Sequence, residues 1–245
     1  MNHTFLKNAP IAESILQIRF ENSDDILNRY ELFYNAIISD FNSKNERYTF
    51  SKTFKLEEDK ESNYLQNETF KKLDSILFFN EDNTKSIIIS NDYYSFHFIN
   101  KYSNWMEFKK LSEKYWDIFN SIYDLKIIPK ISLRYINKIK LNLPVKFEDY
   151  FNVSNMGGDS LEYDLYDFFT KYLIYSKKYD SFANIVLAKD NSYNENDKFE
   201  IVLDIDAFKE LEVNHNIWEL FEHLRGLKNE VFFNVLTERT IKLFE

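Results

Sequence analysis

Residues 14–20, Ser-Ile-Leu-Gln-Ile-Arg-Phe, come close to the two-residue alternation of a half-buried strand. The period then lengthens. Ile26, Leu27, Tyr30, Phe33, Tyr34, Ile37 and Ile38 recur at helical spacing behind a Ser23-Asp24 cap, which predicts an amphipathic helix after that strand. Residues 47–57 and 73–79 read as strands separated by a charged loop. Residues 85–90 and 93–99 flank Asn91-Asp92, a pair suited to a two-residue hairpin turn. Asn104 caps a second helix in which Trp105, Phe108, Leu111, Tyr115, Ile118, Phe119 and Ile122 return every three or four residues, and Pro129 closes the connection after it.

The clearest strand spans 130–143. Ile131, Leu133, Tyr135, Asn137, Ile139 and Leu141 fall on one face, and Ser132, Arg134, Ile136, Lys138 and Lys140 on the other. Further strands are expected near 168–175, 182–189 and 199–206. A C-terminal helical region carrying Ile217, Leu220, Phe221 and Leu224 follows, broken or kinked near Gly226. Strand, helix and several strands thus occur twice in order. The expected fold is α+β, a mainly antiparallel sheet or sheets with packed helices and a two-fold internal strand-helix-strands duplication. Its halves are 1–129 and an acidic 130–245, packed tightly because no Pro-, Gly- or Ser-rich linker parts them.

Composition supports a real core, with 44% of the 245 residues hydrophobic and 18% aromatic. Cysteine is absent, which excludes disulfides, thiolate metal sites and thiol nucleophiles. Acidic and basic side chains balance over 1–145, so the net charge of −9 arises entirely from the last hundred residues. That distribution disfavours direct nucleic-acid binding, which needs clustered Lys and Arg. The first ten residues lack an apolar signal core and no apolar run approaches a membrane span; a cytoplasmic, non-membrane protein is expected.

Standard catalytic signatures are missing: no nucleophile elbow, Walker loop, dinucleotide fingerprint or His-Glu-x-x-His occurs. The histidines at 3, 97, 215 and 223 never stand at the spacing that pairs imidazoles on a helix, and His97 in its strand reads as structural. No cofactor is expected. Gly157-Gly158 invites comparison with nucleotidyltransferases, yet Asp164 and Asp167 lack strand alternation and Asp204-Ile205-Asp206 comes too late. Asp204 and Asp206 would share one strand face, where two carboxylates repel unless cations or a metal lie between them. Arg134, Lys138 and Lys140 offer a cationic stripe, and Glu13, Gln17 and Arg19 a polar one on the first strand. Two readings follow. One is a charge-balanced structural network. The other is a cleft in which Asp204 and Asp206 bind metal, Glu13 adds a third carboxylate, and Arg134 holds a phosphate.

Asn8-Ala9-Pro10-Ile11-Ala12-Glu13, Leu133-Arg134-Tyr135-Ile136-Asn137, Leu203-Asp204-Ile205-Asp206 and a C-terminal stretch through Phe232 and Thr237-Glu238 stand in a recognisable order. Together they resemble a sporadically distributed bacterial family of uncharacterised proteins with Ala-Pro-Ile-x-Glu and Arg-Tyr-Ile-Asn motifs. The resemblance implies that Pro10, Glu13, Arg134, Tyr135, Asn137, Asp204 and Asp206 are recurrent positions, and it assigns no reaction. The scattered distribution of such families resembles that of mobile cargo, including phage-defence and toxin–antitoxin genes, which suggests a protein partner encoded by a neighbouring gene. The expected function is a non-catalytic sensor, adaptor or neutralising partner, with homo-oligomerisation compatible. The alternatives are a metal-dependent phosphoryl-transfer or nucleotide-processing enzyme and an acidic nucleic-acid mimic.

Overall fold

The computed structural model describes residues 6–21, 25–59, 62–142, 145–153, 167–190, 198–212 and 216–245, with backbone alone for 53–59 and 62–69. The chain runs β1 (Ile11–Glu21), a 3-10 turn (Leu27–Arg29), α1 (Tyr30–Ile37), β2 (Ser43–Asp59), β3 (Ser62–Phe79), β4 (Lys85–Ile89), β5 (Tyr93–Ile99) and α2 (Trp105–Tyr123). It continues through β6 (Ile127–Asn142), a second 3-10 turn (Phe147–Asp149), β7 (Phe169–Ser176), β8 (Ser181–Lys189), β9 (Lys198–Glu210), α3 (Ile217–Val235) and α4 (Glu238–Ile241). The fold is α+β, as the periodicities predict.

The nine strands among the described residues form one sheet in the order β2-β3-β4-β5-β1-β6-β9-β8-β7, and each pairing among them is antiparallel. Outward from the central β1–β6 pair lie β5, β4, β3 and β2 on one side and β9, β8 and β7 on the other. One face is apolar: Leu16, Ile18 and Phe20 of β1, Tyr94, Phe96 and Phe98 of β5, and Leu133, Ile139 and Leu141 of β6 are all buried. Helices cover this face, which is the two-layer solution for a sheet and helices that each bury one side. Phe33 of α1 meets Phe78, Tyr94 and Phe119 at ring-centroid distances of 5.7, 6.4 and 5.1 Å, edge to face, so aromatic rings fill the interlayer space.

Several boundaries differ from the expectations. Most of the expected charged loop between 57 and 73 is instead strand, because β2 and β3 pair from Ser43–Phe79 out to Asp59–Ser62 with one register shift at Arg47–Tyr48; residues 60 and 61 lie outside the described residues. The sequence over 58–72 lacks the apolar–polar alternation that reveals strands. Pro129 lies inside β6 and does not close the loop before it; its carbonyl accepts from the Leu211 amide. A proline at the third position of a strand loses little, since it gives up only a donor. The first helix is shorter than expected, with Ile26 and Leu27 outside it; its Ser23-Asp24 cap lies outside the described residues. The helix expected to break near Gly226 runs unbroken from Ile217 to Val235. A Cβ at Gly226 would sit 2.5 Å from the Tyr179 ring, so the glycine answers a close approach and not a kink.

Candidate functional site

The sheet face opposite the helices gathers the charged residues singled out in the sequence. Arg134 stands directly across from Asp206, but its guanidinium reaches diagonally to Asp204, Nε to Oδ1 at 2.8 Å and Nη2 to Oδ2 at 2.6 Å. This fork occupies both Asp204 oxygens, the geometry that makes Arg–carboxylate pairs strong. Asp206 is left with a buried Oδ1 that has no hydrogen-bond partner. Burial pushes its carboxyl up from the usual range, opposed by Arg134, while the Asp204 charge raises it further. Glu13 does not join the pair. Its Oε1 lies 2.7 Å from His97 Nδ1, and His97 Nε2 lies 2.9 Å from Ser95 Oγ, a short relay between β1 and β5.

Lys138 donates to Asp190 at 2.7 Å and to the buried Glu200 at 3.0 Å, and Lys140 lies 3.7 Å from the same Glu200. The cationic stripe of β6 is therefore threaded between carboxylates of β9 and of the segment before it. Among the described residues no cluster of three or more His, Asp or Glu side chains has the geometry to hold a metal ion. Gly157-Gly158 and Asp164 lie outside the described residues, and Asp167 is exposed.

Tyr135 and Asn137 point the other way, as strand alternation requires. Both are buried beneath the helices. Asn137 Nδ2 donates to the carbonyls of Leu203 at 3.0 Å and Tyr135 at 3.3 Å. The Tyr135 hydroxyl donates to that of Tyr102 at 3.1 Å. Above them opens a cavity of about 480 Å³ between the segment entering β1, the first turn of α2, and the second half of α3. Asn8, Ala9 and Ile11 line it from one motif and Asn137 from another, so the two short motifs meet at one place.

Among the described residues the charged ones lining this cavity are Lys7, Arg225 and Lys228, with no carboxylate. Lys228 is 9% exposed. Its ammonium sits 3.8 Å from the centre of the Tyr135 ring, a cation–π contact. Burial, with the Arg225 charge nearby, pushes its pKa down to about 7. Arg225 stacks near Trp105 at 5.6 Å, and both reach Glu222, which also pairs with Lys109 at 2.8 Å. This lysine escaped the sequence reading, although a signal existed. Ile217, Phe221, Leu224, Lys228, Phe232 and Val235 follow helical spacing, and a lysine on an otherwise apolar stripe marks a buried charge.

No family model matches the chain, and no curated protein does. Among the described residues no helix is long and apolar enough to cross a membrane.

Proposed function

We propose that this chain is a non-catalytic interaction protein, a sensor or adaptor whose partner docks on the two-stranded arm formed by β2 and β3. One observation carries the reading. From Tyr48–Leu73 outward to Asp59–Ser62 the two strands pair with each other, whereas β4 pairs only with Ile76–Phe79. The arm leaves the sheet at a bulge where Asp74 is extra, the irregularity that raises twist at such departures. A lone two-stranded ribbon is marginally stable in water. Among the described residues no third strand pairs with it beyond the bulge, so its outer edges are a template for an added strand. Phe50 and Phe70 at its base are 65% and 56% exposed and lie on opposite faces, so either side offers an apolar anchor.

The occupant this arm fits is a protein contributing an extended segment. Lysines and carboxylates are equal in number over 48–73, so backbone pairing and the two phenylalanines define recognition more than charge does. Support for a non-catalytic role comes from the opposite end of the candidate set: the Asp204 oxygens are both engaged by Arg134. The bacterial defence or toxin–antitoxin setting, and a partner encoded by a neighbouring gene, carry over from the family the chain resembles. The two-fold duplication is part of the same proposal and is supported by the mirrored strand order on either side of β1 and β6.

The test is a trimmed arm, with residues 50–71 replaced by an Asn-Gly hairpin turn. Each neighbour-encoded protein is co-expressed with the full and the trimmed chain, and complexes are sized by light scattering. We expect a stoichiometric complex with the full chain and none with the trimmed one, whose thermal unfolding stays cooperative. Equal binding by the trimmed chain would remove the arm from the account, and a full chain that forms no complex at tens of micromolar would remove the reading itself.

A further inference from the structure

From the cavity above Tyr135 we infer a binding site for a small organic anion, a phosphate or carboxylate group joined to a flat apolar body. The charge balance is the first argument. In a chain of net charge −9, a cavity of about 480 Å³ lined by three cations and no carboxylate is not the average surface. Lys228 is the second. Lys228 is nine-tenths buried, and the contact described for its ammonium is the Tyr135 ring face, with no ion pair to a carboxylate among the described residues. Buried amines without an anion are disfavoured, so an arriving anion supplies the missing partner. The third is the wall that the start of α2 supplies: Trp105 and Met106 of this 19-residue helix line the same cavity, while Asn104 caps the Glu107 amide.

The apolar part of the ligand follows from Trp105, Phe232, Phe233 and Ile11 in the same wall. Pockets of this size and mixed lining take molecules of the dimensions of a substituted aromatic ring with one charged group. The groups shown to act on the Lys228 amine are Arg225 on its own helix and Tyr135 on β6, while Tyr102 ahead of α2 and Lys7 on the entering segment line the same cavity. Burial pushes both tyrosines up, so neither ionises as Lys228 titrates. A bound anion holds the proton on Lys228, and binding near neutral pH therefore takes up a proton from solution. This site does not involve the arm, so the two proposals stand or fall separately.

The experiment is titration calorimetry on the full chain with phenyl phosphate, phenylacetate, inorganic phosphate and phenol. Phenyl phosphate and phenylacetate separate the two anion chemistries, and the other two probes test each part of the ligand alone. At least one joined probe should bind more tightly than either part, with an enthalpy that changes with buffer ionisation heat. Its affinity should fall about tenfold or more from pH 7 to pH 9 as Lys228 loses its proton. Lys228→Met should weaken binding about tenfold or more and should raise the unfolding temperature at pH 7, because it removes a buried charge. Arg225→Gln, at the cavity rim, serves as a second variant if Lys228→Met does not fold. No heat from either joined probe at millimolar concentration, or unchanged affinity in both variants, would overturn the site.

Discussion

Asp206 carries the least comfortable side chain of the charged face. Its Oδ1 is buried without a donor while the neighbouring Arg134 is engaged by Asp204. Its folded pKa is raised, so the native state holds the proton more tightly than the unfolded chain does. The sign follows: this group lowers stability as pH rises through its unfolded value, near 4, towards its folded one. Asp206→Asn should therefore stabilise the protein at pH 8 by about 1 kcal/mol, seen as about 2–4 °C in melting temperature. That advantage should vanish below about pH 4, where the wild-type carboxyl is protonated in both states. A gap that persists unchanged to pH 4 would mean that charge is not its source. Arg134, Lys138 and Lys140 were readable as a stripe because β6 alternates without interruption. That the fork would choose Asp204 over the residue directly opposite was not readable, since register across strands is set by pairing far away in sequence.

Gly226 shows the same limit in a helix. Glycine lowers helix propensity by about 1 kcal/mol relative to alanine, which is why the pattern suggests a break there. In the fold α3 crosses the turn that joins β7 to β8, and the Tyr179 ring occupies the space of the missing Cβ. The Tyr179 hydroxyl in turn donates to Glu230 at 3.1 Å, one turn further along the same helix. Displacing a packed ring costs about 1–3 kcal/mol, more than the propensity gain. Gly226→Ala should thus destabilise by about 1 kcal/mol, whereas in a Tyr179→Ala background the same change should stabilise, a reversal that a double-mutant cycle measured by denaturant unfolding would detect. Most elements were legible because they bury one face: β1, α2, β8 and β9 all show their period. The outer ends of β2 and β3 show no such alternation in sequence, and the residues that make the cavity come from four separate segments. Lys7, Trp105, Asn137 and Lys228 span nearly the whole chain, and no local pattern unites them.

The sheet has two ends, and they differ. One is the arm; the other is β7, where Phe169, Leu173 and Tyr175 stand exposed on the face away from the helices, with Phe169 71% exposed. An apolar end strand whose outer edge has no partner strand among the described residues favours pairing with its own copy, since antiparallel β7 strands around a two-fold axis are self-complementary. Leu173→Lys should accordingly abolish any concentration dependence of mass in sedimentation or light scattering, and a wild-type protein that stays monomeric at every concentration would leave β7 as a blunt edge only. The central pairing has a further consequence for synthesis. β1 is made first, yet its neighbours β5 and β6 follow about 80 and about 115 residues later. At ribosomal rates of about 5–20 residues per second, both edges of β1 stay open for at least several seconds. A first half released without β6 would keep one of them open for good. This protein's most vulnerable interval therefore precedes its completion, and chaperone dependence should fall on the nascent chain before residue 142 emerges, not on the finished fold.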